Sequence, residues 1–304
     1  MIGFFDLEFN PKNELLVIGI LFKKRYYYFT NILDFINFLK NSKIKILYGY
    51  NIEYDIGIII RKINLEKYKI KLKCIYNMCG MVSSELDIDD KKIKVKDLSR
   101  HVPIGLGKIG EMIGMKKMEI DYNFNKIDKK LIEYNKNDLK ITYMLYNRLN
   151  KCYKKLHTGI KNTIASTSFA IYKKMIHIPT VDENIKEVFI KAYKGGLVNV
   201  YKTGTYEGNF FKLDVNSLYP FVMLSQFTNP TTYYISNKPS GKMYLIIYDD
   251  GDVFTNYDTK TFNINKKIKC YICFKQYIYP FKLYIEKINK YKENAKNDLE
   301  RTIF

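Results

Sequence analysis

The chain is short of acidic residues: Lys and Arg number 51 against 31 Asp and Glu, a formal net charge of +20 over 304 residues. Such an excess favours a polyanionic partner, most simply nucleic acid. Lys, Asn, Ile, Tyr and Phe are all abundant, as in proteins from AT-rich genomes, and compositional drift accounts for part of the same charge. Cysteines are few and odd in number, five, which makes no disulfide framework. Cys270 and Cys273 have zinc-knuckle spacing, but no second Cys or His pair lies near them. Their segment, "IKCYICFK", reads as a strand whose thiols are reduced packing residues. Long apolar runs are missing: stretches such as "IGIII" at 56–60 are far too short to span a membrane. Asp6 and Glu8 interrupt the N-terminus too early for a signal peptide. No internal repeat or low-complexity block stands out. The expectation is a soluble intracellular protein with no membrane partner, long enough for two domains.

What is present is a sequence of strand and helix patterns. "MIGFFDLEF" reads as a strand, and "LLVIGILF" and "RYYYFT" as the next two, a meander. "ILDFINFLKN" spaces Ile32, Phe35, Ile36 and Leu39 on one helical face. "IKILYGYNIEYDIGIIIRKI" runs from a buried strand through a turn into a helix, residues 93–98 suggest another strand, and "GLGKIGEMIG" and residues 129–156 suggest helices. The mixture predicts an α/β domain over residues 1–150, then a helical connector over 151–190. From "YKGGLVNVYKTGTYEGNFFKLDV" onward, strands and Gly-rich turns mark a second domain, residues 191–304. The final segment places Tyr284, Ile288, Tyr291, Ala295, Leu299 and Ile303 at helical spacing. This apolar stripe is expected to find little to pack on within the chain.

Four carboxylates stand where a metal site can be built. Asp6 and Glu8, two apart in a strand, project from one face. Asp55 opens a helix, and Tyr134 and Asp138, four apart in the long helix, stack on one face. Each pair alone reads as readily as surface decoration. In order they are more specific: "FFDLEF", "YGYNIEYD" and "EYNKND" resemble the three motifs of the DnaQ-like 3′–5′ exonucleases, in the form carried by family B DNA polymerases.

That resemblance implies an RNase H-like fold with a mixed sheet. It also implies phosphodiester hydrolysis by two Mg²⁺ or Mn²⁺ ions, which need a cluster of hard carboxylate oxygens. Asp6, Glu8 and Asp138 would hold the metal that activates water, Asp6 bridging to a second near Asp55. Tyr134 would orient the water with Glu8, and Asn51 and Tyr54 would contact a single-stranded 3′ end, where stacking on an aromatic tolerates any base. "MKKMEIDY" resembles a segment of protein-primed phage polymerases whose lysine assists the exonuclease site. Lys117 is the candidate for that role, and a solvated lysine is the other reading. "DLSRHVP" stands where that family has a Ser-Leu element, but the order here is Leu98-Ser99, which leaves Ser99 without a matched role.

"YKGG", with Tyr193, Gly195 and Gly196, resembles the motif that joins exonuclease and polymerase domains in family B. Its two glycines let a DNA strand approach the backbone. "DVNSLYP" at 214–220 matches that family's motif A at every specified position. The match implies that Asp214 binds both polymerase magnesium ions. The backbone of Val215, Ser217 and Leu218 would cradle the incoming triphosphate, and Tyr219 would exclude a 2′-hydroxyl. The family's motif B, K-x-x-x-N-S-x-Y-G, and motif C, Y-x-D-T-D, are both missing. Tyr257-Asp-Thr-Lys260 lacks the last Asp and comes too early. The expected second domain is therefore an incomplete α+β palm. The leading reading is the N-terminal part of a protein-primed polymerase. Its partners are single-stranded or primer-template DNA, a second polypeptide bearing motifs B and C, a priming protein, and a nucleotide only once the palm is completed. The alternatives are a free-standing exonuclease with a vestigial palm and a non-catalytic DNA-binding subunit.

Overall fold

Strict alternation of side chains along "IGFFDLEF" fixes the first layer of the computed structural model, which describes residues 1–62, 70–77, 80–120, 126–196, 198, 200, 202–261 and 264–304. Strand β1 (Ile2–Phe9) pairs antiparallel with β2 (Leu15–Phe22), which pairs with β3 (Arg25–Phe29). Helix α1 (Ile32–Asn41) starts at Asn31, whose side chain accepts from the Asp34 amide, an N-cap that satisfies an otherwise orphan donor. Strand β4 (Ile46–Gly49) runs parallel to β1 and leads to α2 (Glu53–Lys62). The hairpin β5 (Ile70–Asn77) and β6 (Gly80–Ile88) then precedes β7 (Lys91–Asp97), which lies parallel to β4. The result is a seven-stranded mixed sheet in the order β3-β2-β1-β4-β7-β6-β5.

Residues of odd and even position on β1 serve different layers. Phe5 and Leu7 bury against Phe35, Ile36 and Leu39 of α1 and Ile52, Ile56 and Ile59 on one side. Phe4 faces the other, with α3 (Leu106–Ile113) and the long α4 (Lys129–Lys155), whose Leu139, Ile141, Leu145 and Leu149 are fully buried. Asp6 and Glu8 share the face of Phe4, so the apolar pattern that seats α4 on the sheet also brings its Tyr134-to-Asp138 face over two carboxylates.

Helices α5 (Ile164–Met175) and α6 (Glu183–Ala192) follow. After α7 (Leu218–Met223) come β8 (Phe227–Thr228), β9 (Tyr233–Ser236), β10 (Leu245–Tyr248), β11 (Val253–Thr255), α8 (Asp258–Thr261), β12 (Ile268–Phe274) and β13 (Tyr277–Ile278). Strands β11-β10-β12-β9 form a four-stranded antiparallel sheet, on which Ile185, Val188 and Phe189 of α6 pack with Leu245, Val253, Ile272 and Phe274. The chain ends in α9 (Lys282–Glu293) and α10 (Asp298–Ile303).

The chain divides into two compact units, residues 1–171 with 289–304, and residues 172–288. Three expectations change. Residues 193–215 contain no strand among those described, and Phe211, Leu213 and Val215 are exposed; an alternating segment without a neighbouring strand has no ladder to join. The C-terminal stripe is two helices, not one. It also finds a partner: Leu299 and Ile303 are buried among Ile109, Ile113, Leu145 and Leu149 of the first unit, and Phe304 stacks on Tyr291. Cys270 and Cys273 are free thiols in β12. No helix among the described residues is long and apolar enough to cross a membrane.

Candidate active site

Ligand oxygens of Asp6, Glu8 and Asp138 lie within 4.8 Å of one another. Two come from β1 and one from α4, so strand pleat and helix placement make the cluster together. Three acids this close repel, and two neighbours offset the repulsion. Burial raises the Asp6 pKa, with Asp138 adding to it and Lys117 opposing. Burial also raises Glu8, next to the Asp6 charge. Asp138 is raised by burial and drawn back by Lys117 and by a hydrogen bond from the Tyr134 hydroxyl.

Asn135 is the first neighbour. It is fully buried, its Nδ2 donates to Asp6 Oδ2 and Glu8 Oε1, both at 3.2 Å, and its Oδ1 accepts from the Tyr26 hydroxyl at 3.0 Å. Space for it exists only because residue 19, opposite Asp6 in the β1–β2 register, is glycine: a Cβ there would lie 1.7 Å from Asn135 Oδ1. Neither Asn135 nor Tyr26 is among the residues picked out by motif. The usable signal is Gly19 itself, since a glycine inside an apolar strand often marks a close approach.

Lys117 is the second neighbour. Its Nζ lies 2.7 Å from Asp138 Oδ2 and 5.0 Å from the centre of the Tyr134 ring. The ammonium thus lies against the cluster. The Asp121-Tyr122 end of its segment lies outside the described residues.

Asp55, on α2, is buried and close enough to Asp6 and Asp97 for their charges to add to the burial that raises its pKa, but it stands outside the three-carboxylate cluster. Asp97 was not anticipated. Fully buried at the end of β7, its carboxylate accepts from the amides of Asn51 at 2.9 Å, Ile52 at 3.3 Å and Ser99 at 2.8 Å. It therefore fixes the turn in which Asn51 takes a left-handed conformation, φ 58°, with its side chain exposed. Tyr54 is half exposed: its ring meets Phe9 edge-on at 5.3 Å and its hydroxyl donates to Asn13 Oδ1 at 2.7 Å. The hydroxyl is held and about half of the residue stays open to solvent. Ser99 is engaged only through its backbone amide among the contacts seen.

The residues fit a divalent cation. The donors are hard carboxylate oxygens, and Oδ1 of Asp138 is buried without a hydrogen-bond partner among the described residues, an arrangement that a cation would satisfy.

In the second unit, Tyr193 and Gly195 line a cavity of about 440 Å³ with Phe189, Met243, Leu245 and Phe274. Gly196 is exposed, with open space where a Cβ would sit. Asp214, Val215, Ser217, Leu218 and Tyr219 are exposed, Ser217 at φ 56° before the one-and-a-half turns of α7. Asp214 belongs to no acidic cluster among the described residues. Asp258, from the rejected motif C look-alike, accepts at 2.8 Å from both the amide and the hydroxyl of Thr255, which leaves it capping α8.

Residues 107–244 match the family described as DNA polymerase type B, organellar and viral. No curated protein sequence is significantly similar to the chain. Among solved structures, phi29 DNA polymerase complexed with primer-template DNA and incoming nucleotides superposes with a TM-score of 0.74 at 17% identity, over 99% of this chain and 65% of that one. The orthorhombic form of the same enzyme gives 0.74, 17%, 99% and 66%, and its complex with single-stranded DNA 0.69, 17%, 99% and 65%. At that identity the likeness establishes the fold, and the chain spans just under two thirds of the polymerase it matches. The match to the organellar and viral type B DNA polymerases covers both the long helix of the carboxylate site and the Asp214 segment, and the mixed α/β architecture is similar to part of phi29 DNA polymerase.

Proposed function

We propose that the first unit is a DnaQ-like 3′–5′ exonuclease of RNase H-like fold, and that the second is the opening part of a polymerase palm. The observation that carries the reading is the convergence of Asp6, Glu8 and Asp138 with Tyr134 and Lys117 attached to the same carboxylate. Asp6, Glu8 and Asp138 would hold one divalent ion, and Asp6 with Asp55 a second. Such ions lower the pKa of bound water and neutralise charge on the attacking and leaving oxygens.

The chain's own side chains do the rest. Asn135 fixes the orientation of Asp6 and Glu8 by donating to both. Lys117 sets Asp138 and, through it, the Tyr134 hydroxyl, which is placed to orient a water. Tyr54 offers its exposed ring face to the last bases of a single strand, and Asn51 its amide. The structures of phi29 polymerase with single-stranded and primer-template DNA agree with DNA as the substrate.

The test is degradation of a 5′-labelled single-stranded oligonucleotide with Mg²⁺ or Mn²⁺. Asp6→Ala should abolish the ladder of shortened products, because a ligand shared by two metals has no substitute. Tyr134→Phe should slow it and leave metal binding intact. Activity that survives Asp6→Ala removes the site assignment.

For synthesis, Asp214 would bind the polymerase magnesium ions, Val215 to Leu218 the triphosphate and Tyr219 the sugar. Positioning and charge neutralisation are nearly all of phosphoryl transfer, and both need groups beyond Asp214. Residues 1–304 alone should therefore incorporate no nucleotide. A polypeptide segment bearing motifs B and C should restore incorporation from primer-template DNA or a priming protein, and Asp214→Asn should eliminate it while sparing the nuclease.

A further inference from the structure

Helix α4 packs across β1, β2 and β4 and covers the sheet face that carries Asp6 and Glu8. The same face continues over β7, β6 and β5 without that cover. Strand register decides what is on it. Ile93 and Val95 turn into the core beneath α1 and α2, so Lys94 and Lys96 turn outward, opposite Glu85 and Ser83 of β6, which face Lys73 and Ile75 of β5. The segment after α4 closes one side with Asn162. The product is a cleft of about 320 Å³ lined by Lys73, Lys94, Lys96, Ser83 and Asn162.

Its chemistry is one-sided. Among the described residues none of the three lysines makes an ion pair, and Glu85, which also lines the cleft, pairs instead with Lys92 at 3.9 Å. Lys96 is half-buried; burial lowers its pKa, and the charges of Lys94 and Lys161 lower it further. An anion at that point would relieve both effects. Neutral donors are ready beside it: Asn162 Nδ2 donates to Ser83 Oγ at 3.2 Å, which leaves the serine hydroxyl hydrogen and the second amide hydrogen free to point at a ligand. Ammonium groups combined with hydroxyl and amide donors suit a phosphate oxygen. Lys94 and Lys96 are two residues apart, about 6.7 Å along the strand, so the charge is spread along a line and suits a chain of phosphates better than one.

We propose that this cleft on β5, β6 and β7 binds the phosphodiester backbone of a single DNA strand. The proposal rests on the reading of the first unit as a DNA-processing enzyme, and extends the DNA path onto the part of the sheet that α4 leaves open. Lys94 and Lys96 would each contact a phosphate, with Ser83 and Asn162 fixing its register.

The experiment is fluorescence anisotropy of a labelled oligothymidylate with the full chain in EDTA, which removes cleavage, over a series of salt concentrations. Each phosphate contact adds about 0.7 to the slope of log affinity against log salt for single strands, so Lys94→Gln/Lys96→Gln should lower the slope by about 1.4. Lys94→Arg/Lys96→Arg should keep it, and Lys23→Gln/Lys24→Gln, which removes equal charge from an exposed turn at the other edge of the sheet, should change it little. Thermal melts establish that each variant is folded. An unchanged slope in the Gln pair, or an equal loss in the Lys23/Lys24 pair, overturns the cleft assignment while leaving the nuclease reading intact. Loss of thymidine monophosphate binding with oligonucleotide binding preserved would assign the cleft to a free nucleotide and overturn the strand. A wild-type chain that binds no oligonucleotide overturns the cleft and the function together.

Discussion

Substituting Gly19 by alanine separates what the strand prefers from what the site needs. Glycine inside a strand is ordinarily worse than alanine by roughly 0.5–1 kcal/mol, so a strand-level argument predicts that Gly19→Ala stabilises the protein. The site predicts the reverse. The new Cβ would lie 1.7 Å from Asn135 Oδ1 and 2.8 Å from both Asn135 Cγ and Leu139 Cδ1. Asn135 is fully buried and pinned at both ends of its amide, so no small rotation clears the overlap. Overpacking of this kind costs about 1–3 kcal/mol. Expelling the amide leaves Asp6, Glu8 and the Tyr26 hydroxyl short of partners, each lost bond worth about 1–3 kcal/mol when the group stays buried. The expected loss is about 3–5 kcal/mol.

The assay is urea unfolding in EDTA for wild type, Gly19→Ala, Asn135→Ala and the double variant. With Asn135 already truncated the overlap with its amide is gone and only the Leu139 methyl, the end of a side chain that can turn into the space left by the amide, must shift, so alanine at 19 should cost little and the two changes should couple by about 2–3 kcal/mol. Magnesium binding gives a second reading: partners that orient metal ligands typically matter by about 10–100-fold in affinity, and Asn135→Ala should lose that much. A Gly19→Ala protein at least as stable as wild type, or a double variant equal to the sum of the singles, would refute the role given to Asn135.

His101 is buried, with Nε2 3.2 Å from the Lys161 carbonyl and Nδ1 3.0 Å from the Tyr153 hydroxyl. The carbonyl can only accept, so Nε2 carries the proton and Nδ1 accepts from Tyr153. Burial lowers its pKa from 6.5 to about 4, with Lys96 assisting against the carbonyl. Its contribution is therefore complete above pH 6.5 and is lost as pH falls towards 4. Relative to His101→Gln, wild type should lose about 3 kcal/mol over that window. The pairwise comparison is essential because Asp6, Glu8, Asp55 and Asp138, whose pKa values are raised, shift stability the other way on acidification; a flat difference curve would disprove the histidine account. Leu299→Ala should cost about 2–5 kcal/mol, since the side chain is buried against α3 and α4. If removing residues 289–304 leaves the melting of the first unit unchanged, that packing does not matter.

Local patterns in the chain fixed much of this site, and distant contacts supplied the rest. β1, α2 and α4 are legible because alternation in "FFDLEF" and four-residue spacing in "EYNKND" are local, and the geometry that gathers Asp6, Glu8 and Asp138 follows from those periods. Asn135 is not legible in the same way. It stands between Tyr134 and Lys136 with Asn137 close by, and nothing local tells the buried asparagine from the one beside it. Asp97 is similarly hidden, because its three amide donors come from two separate turns. The C-terminal stripe shows the converse failure: Leu299 and Ile303 declare an apolar face, but their partners Ile109 and Leu145 are more than a hundred residues away. In β5, Lys71 and Lys73 alternate with Leu72 and Cys74, so a genuine two-residue period looks like a charged surface loop.

The two acidic motifs differ in how much of their surroundings the chain provides. Around Asp6 the neighbours that would support a metal ligand are internal to the first unit: Asn135 orients it, Lys117 tempers its neighbour, and Gly19 makes the room. Around Asp214 the adjacent apolar side chains are open to water, Phe211 at 88% and Leu213 at 92% exposure, in a segment that joins no sheet. Large apolar side chains in a row are seldom left uncovered unless something binds them. A lone exposed carboxylate is also a weak magnesium ligand, since that ion is normally held by one or two carboxylates together with substrate phosphates. On the proposed function, cleavage would require only groups that are already assembled, whereas synthesis would require both a second carboxylate and a cover for the Asp214 segment. One strand of further polypeptide, laid against residues 209–215 and carrying an acidic residue, would meet both requirements at once, because pairing would bury the apolar face and bring the two carboxylates to neighbouring positions across a sheet.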